Sequence, residues 1–229
     1  MADVGGSFPT EDGHPVIDCR PLLETTASAT KAEKLRQLRA ALTERGYFYC
    51  SVGDALPPEL IARAYEQSRL ALALPLELLR TKYMDRLAPY RGFSNKEPNY
   101  DASTTSLLHS WDFGRDVPRL PEDDPDHEYI GPNVYADDEV PQMRAVVDEL
   151  YERQDKMARM MFQAFAEMFQ LPADTFSKHF SWRSSSSLRL LFYPGSESAA
   201  ATELEGVPSH GISPHTDFEL FTLMSKRLH

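Results

Sequence analysis

The run "VPQMRAVVDELYERQDKMARMMFQAFAEMFQLP" at 140–172 carries the longest helical pattern in the chain. Met157, Met160, Met161, Ala164, Phe165 and Met168 fall on one stripe of it. A long helix with a single apolar stripe must lay that stripe against other elements, so the run demands a packed core. A methionine-rich stripe also suits an adaptable binding groove, but core packing is the commoner reason for one.

The period of the sequence changes on either side. Upstream, "KAEKLRQLRAALTERG" spaces Leu35, Leu38, Ala41 and Leu42 as on one helix face, and Gly46 stands where a helix stop is expected. "PPELIARAYEQSRLALALP" reads as a second helix, opened by Pro57 and Pro58 and closed by Pro75. Two β-rich runs, Val16–Cys19 and "YFYCSV" at 47–52, flank the first helix. The stretch 85–140 is rich in Pro, Asp and Asn and reads mostly as loop. Its acidic piece, "PEDDPDHEY" with His127, lacks the spacing of a cation site and reads as solvated loop. After "WRSSSS" the runs "LRLLFYP" at 188–194 and "ISPHTDFELFTLM" at 212–224 are strand-like, joined by the polar "GSESAAATELEGVPSHG". The predicted order is a helical first two-thirds followed by the beginning of a β region.

Charge narrows the partners. Lys plus Arg number 24 against 35 Asp plus Glu, a net charge of −11, which opposes nucleic acid and anionic membrane. No apolar run approaches a bilayer span; "ALALPLELL" is broken by Pro75 and Glu77. The N-terminus shows no basic stretch followed by an apolar one, so a cytoplasmic location is expected. Cys19 and Cys50 each end a strand-like run and are expected as two buried reduced thiols, not a disulfide.

The chemistry gathers in "SPHTD". In a strand, residues i and i+2 share a face and emerge about 7 Å apart. His215 and Asp217 can then reach one metal ion, while Thr216 faces away. An imidazole and a carboxylate are two parts of the 2-His-1-carboxylate set that holds iron(II) with open positions. H-x-D alone is common by chance, so its surroundings must decide.

"SPHTDFELFTLM" resembles the "PHTD…LTLL" segment of the isopenicillin N synthase-like oxygenases, which use non-haem iron and mostly 2-oxoglutarate. Further likenesses follow in chain order along nearly the whole sequence. "HPVIDCRPL" is similar to the family's "PVIDL", and "RGYFYCSVGDALPPELI" to its "GFF-V-NHG-", with Gly53 at the usual glycine and the Asn-His absent. "ALALPLELLRTKY" matches "LP-E-K", "YRGF" matches "RGY", "SWDFGRDVP" resembles "KE-FDFG", and "GPNVY" resembles "GPN-W-".

The resemblance implies an α+β fold. An N-terminal helical region with short strands leads into a double-stranded β-helix, or jelly roll, of which only the first strands are present. The segments it implies are a flexible N-terminus at 1–14, a dioxygenase N-terminal region at 15–130, a long-helix region at 131–180 and the start of the jelly roll at 181–229. It implies Fe(II) on His215 and Asp217, 2-oxoglutarate as cosubstrate, dioxygen, and a small-molecule substrate of secondary metabolism that is hydroxylated, desaturated or ring-closed. Tyr193 matches a tyrosine lining the cosubstrate or substrate pocket, with a core-packed strand tyrosine as the alternative. Arg91 lies near a position that holds a substrate carboxylate in some members, or is a surface arginine. His109, His127, His179 and His210 match no ligand position.

The family's second histidine ligand and an Arg-x-Ser for 2-oxoglutarate come several dozen residues after H-x-D. Here twelve residues follow Asp217, and His229 is the sole histidine among them. A ligand on a chain end is poorly held, so the third ligand is expected to lie outside this chain. A truncated oxygenase with little activity of its own is then expected. The alternative is a non-catalytic product that acts by strand pairing or self-association through an exposed sheet edge.

Overall fold

Each helix forms where its local signals agree. The computed structural model describes residues 10–11, 13–24, 26–83, 90–95, 97–98, 105–106, 108–184, 186–193, 209–210, 215–217 and 219–225. In chain order the elements are β1 (Thr10–Glu11), β2 (His14–Asp18), α1 (Ala29–Glu44), β3 (Tyr49–Ser51), α2 (Pro58–Leu72) and the single turn α3 (Leu76–Leu78). They continue with β4 (Gly92–Ser94), β5 (Glu97–Pro98), β6 (Thr105–Ser106), β7 (His109–Phe113), α4 (Met143–Met168), β8 (Leu188–Phe192) and β9 (Ser209–His210). The chain divides into two compact units, 1–58 with 152–184 and 59–151 with 185–229.

In the first unit, β2 pairs antiparallel with β1 and parallel with β3, and α1 makes the connection a parallel pair needs. Alternation along β2 buries Pro15 and Ile17, and Cys19 just beyond the strand is buried too. Ser28 caps α1 by accepting from the Lys31 N–H at 3.0 Å. Gly46 follows the helix end with φ +82, and its N–H reaches Ala41 O at 3.1 Å. The buried Lys31 ammonium donates to Glu24 O at 2.6 Å and to Glu167 Oε1 at 2.8 Å, which ties α1 to the end of α4. Of the methionine-rich stripe, Met157, Met161, Ala164 and Met168 are buried and Met160 and Phe165 half-buried, as core packing requires. One expectation fails here. Cys19 is buried, but β3 is exposed along its length, so Cys50 is exposed.

The second unit holds the larger core. β7 is the middle strand of the antiparallel sheet β4-β7-β8, with Trp111 opposite Phe93 on one side and Leu190 on the other. Trp111, Phe93, Phe113, Leu72, Leu79, Tyr83, Tyr135, Val140, Met143 and Val147 pack into one cluster with Leu190. The Trp111 indole N–H donates to Val134 O at 2.9 Å, so the buried ring leaves no orphan donor. The short strands β5, β6 and β9 form a second sheet. The loop reading of 85–140 therefore misses β4 to β7. Pro, Asp and Asn around them hide the strands from composition, while burial of Phe93, Trp111 and Phe113 fixes β4 and β7. The acidic loop is a series of turns in which the His127 ring bonds to Asp124 O at 2.9 Å.

Among the described residues, no helix is long and apolar enough to cross a membrane.

Candidate metal centre

His215 and Asp217 come together, but not by the expected route. None of the described residues between 215 and 225 lies in a strand. A strand exists only where a neighbour takes up its backbone groups, and no described strand pairs with this run. Its apolar alternation is thus not sufficient. The two side chains nevertheless meet: His215 Nε2 stands 3.1 Å from Asp217 Oδ1, with the side chains 38% and 51% exposed. The second carboxylate oxygen accepts from Thr222 Oγ1 at 3.1 Å, so Asp217 is fixed by a residue five further along.

Two ligands at neighbouring corners of an octahedral ion, each about 2.1 Å from it, stand about 3 Å apart. The His215–Asp217 separation fits that edge; an ordinary His–Asp hydrogen bond has the same length. The pair supplies one imidazole and one carboxylate, one ligand short of the expected set. Among the described residues, no group of three or more His, Cys, Asp or Glu could hold a metal. His229 and the His210 side chain lie outside the described residues.

The other two expected site residues lie in the same unit. Arg91 is not a surface arginine. It is buried just before β4 and donates from Nη1 to Tyr90 O at 3.2 Å and from Nη2 to Tyr129 O at 3.0 Å. Gly114 lies against its guanidinium so closely that a Cβ there would collide with it. Those contacts hold a full positive charge in place inside the unit. Tyr193 follows β8 and is 43% exposed, so it is not the core-packed strand tyrosine.

Sequence reasoning missed one positioning residue. Asn133, in "GPNVY", receives the Gly114 N–H and returns its amide to Gly114 O, both at 2.8 Å. Its own N–H goes to Asp116 Oδ1 at 2.8 Å, and its amide also reaches Tyr135 Oη at 3.0 Å. The Tyr135 hydroxyl in turn donates to Asp148 on α4, and burial with that carboxylate raises its pKa. Asn133 thus clamps the loop after β7, which also carries the glycine packed on Arg91. The signal was present in the resemblance, where the asparagine sits in a shared motif.

The family described as "non-haem dioxygenase in morphine synthesis N-terminal" matches residues 14–138, more than half of the chain. The chain belongs to this family. The 2-oxoglutarate-dependent dioxygenase citB of Monascus ruber is 25% identical over 219 residues, covering 92% of this chain and 64% of its own. The proline hydroxylase buaE of Petromyces alliaceus is 28% identical over 198 residues, covering 83% of this chain and 57% of its own. The crystal structure of a 2OG-Fe(II) oxygenase family protein from Caulobacter crescentus superimposes with a TM-score of 0.59 at 27% identity. That match covers 75% of this chain and 54% of that one. The dioxygenase-family chain therefore spans less than two thirds of the curated relatives it matches.

Proposed function

We propose that the protein is a non-haem iron(II) oxygenase that uses 2-oxoglutarate and dioxygen to hydroxylate, desaturate or ring-close a small molecule. The observation that carries this reading is the His215–Asp217 pair, 3.1 Å apart, downstream of the family-matching residues 14–138. The 2-oxoglutarate-dependent relative supports the choice of cosubstrate. Iron(II) with 2-oxoglutarate, when bound, supplies the activated oxygen for attack on the substrate.

The chain's own residues then have distinct tasks. His215 offers its ring nitrogen and Asp217 one carboxylate oxygen, while Thr222 keeps the other oxygen engaged and so fixes the carboxylate's rotation. Tyr193, half exposed at the end of β8, lines the cosubstrate or substrate pocket. Arg91, a buried cation, faces a substrate carboxylate. Residues from 181 onward belong to the jelly-roll region, and the protein works in the cytoplasm. With two donors among the described residues, His215 and Asp217, the chain holds iron weakly and turns over little.

The test is an anaerobic iron(II) titration of the chain, followed by succinate formation from 2-oxoglutarate in air. Iron binding that weakens at least about tenfold in both His215→Ala and Asp217→Ala supports the reading. Iron binding unchanged in both variants would overturn the site. Full-rate turnover by the chain would overturn the two-donor argument.

A second reading, self-association through a sheet edge, draws on exposure along β8. Leu191 and Phe192 are 43% and 49% exposed, and among the described residues β8 pairs only with β7. Sedimentation of the chain as a monomer at all concentrations would exclude it.

A further inference from the structure

The chain's two cysteines lie in the first unit and take no part in the metal centre. Strand register makes them neighbours. β2 and β3 run parallel with Ile17 opposite Cys50 and Asp18 opposite Ser51. Cys19 follows directly, and its N–H donates to Ser51 O at 2.8 Å, holding the end of β2 against β3. The backbone of Cys19 then turns out of the strand at φ −87 and ψ −4. On this frame the two thiols share a hydrogen bond.

The two sulfurs are not equivalent. Cys19 is fully buried, whereas Cys50 stands on the exposed strand. The hydrogen bond from Cys19 lowers the Cys50 pKa to about 7, although desolvation opposes the fall. The same bond and burial push the Cys19 thiol well up. The Cys19 S–H has two acceptors in reach, Ile17 O at 3.6 Å and the Cys50 sulfur. One thiol is thus accessible and readily ionised, and the other is protonated, buried and in contact with it. That is the division of labour of an attacking and a resolving cysteine. Two inert core thiols would both be buried and neutral.

We propose that Cys50 and Cys19 form a redox dithiol: a hydroperoxide oxidises exposed Cys50, and buried Cys19 resolves the product to a disulfide. In the first step the Cys50 thiolate attacks the peroxide, an S–O bond forms and the O–O bond breaks. The departing oxygen takes up a proton as water, or as an alcohol from an organic peroxide, leaving Cys50 as a sulfenic acid. In the second step the Cys19 sulfur attacks the Cys50 sulfur, an S–S bond forms and the S–O bond breaks. Hydroxide leaves with the Cys19 proton as water. Two thiols lose two hydrogens and two electrons, and the peroxide is reduced. The new bond closes a loop around α1 and pins β2 to β3. The proposal stands whether or not His215 and Asp217 hold iron.

The test treats the reduced 229-residue chain with hydrogen peroxide in the presence of dimedone, which traps sulfenic acids. The expected product of the wild type is a protein two hydrogens lighter, with peptides carrying Cys19 and Cys50 cross-linked and released again by a dithiol reductant. Cys19→Ser is expected to collect dimedone at position 50. Cys50→Ser is expected to react at least about tenfold more slowly, because its remaining thiol is buried and protonated. A wild type that carries dimedone at Cys50 without any cross-link would overturn the proposal. So would a Cys50→Ser chain that reacts as fast as the wild type. The wild-type cross-link requires no substitution, so a misfolded variant cannot account for it.

Discussion

Residues 109–113 sit in a stretch whose composition reads as loop, and the described residues 215–217 and 219–225 in a run that reads as strand, yet each ends as the opposite. The first is β7, hydrogen-bonded on both edges by β4 and β8, with Trp111 and Phe113 fully buried. The second has no described strand beside it, and its Leu220 and Met224 are 80% and 79% exposed. The difference teaches that a strand is a property of a pair. Alternation offers a face to bury, and a partner's N–H and C=O groups decide whether it is buried.

The largest effect that separates the two regions is a truncation in each. Trp111→Ala should destabilise the chain by about 3–5 kcal/mol, through the lost ring and the cavity left in a closed core. Met224→Ala should change stability by less than about 0.5 kcal/mol, because its side chain already meets solvent. Urea unfolding followed by intrinsic fluorescence measures both, with Trp182 as reporter in the first variant. Equal losses would erase the contrast between the regions.

A smaller loss should come from the edge of the same sheet. Gly92 opens β4 at φ +97, and a Cβ there would run into the Tyr83 carbonyl oxygen. Gly92→Ala should cost about 2 kcal/mol or more, from the left-handed backbone together with that collision. Chemical denaturation measures it, and a neutral outcome would mean that β4 yields to the added Cβ without loss.

His109 gives the smallest effect, and it depends on pH. Its ring lies beside Phe93 and Phe192, and its Nδ1 is buried without a hydrogen-bond partner among the described residues. Burial, with a smaller contribution from the Arg80 charge, lowers its pKa. The unfolded chain therefore binds this proton more readily than the folded one below the ordinary histidine value of about 6.5. The stability that goes with the neutral ring is complete above that value and is lost as pH falls through it. His109→Phe should remove this loss, so its advantage over the wild type should grow between about pH 7 and about pH 5. Thermal unfolding across that range checks it, and parallel curves would place the His109 ring in water.

The same contrast marks what was legible in the sequence. The helices α1, α2 and α4 were, because Gly46, Pro58 and the stripe from Met157 to Met168 are local signals that packing reinforces. β7 was not, because Asp112 and the polar residues around it suggest a loop until Trp111 and Phe113 are seen inside the core. For the site, H-x-D named His215 and Asp217 as neighbours, and they meet at 3.1 Å outside any described strand, with Thr222 bonded to the carboxylate's other oxygen. For Arg91 the sequence left a pocket residue and a surface arginine both open, and only the fold excludes the surface, with Tyr129 O and Gly114 closing over its guanidinium. The clamp made by Asn133 depends on a loop contact across nineteen positions, beyond the reach of any local pattern.

Hydrogen–deuterium exchange with and without iron(II) tests the central claim, that a run with no described strand beside it carries a metal-binding pair, most directly. Without metal, the amides of 109–113 should be strongly protected and those of 215–225 should exchange near the rate of an open chain. Iron(II) should slow exchange around 215–217 in the wild type and not in His215→Ala, leaving β7 unchanged in both. Slowing of the same size in His215→Ala, or none in the wild type, would contradict the account.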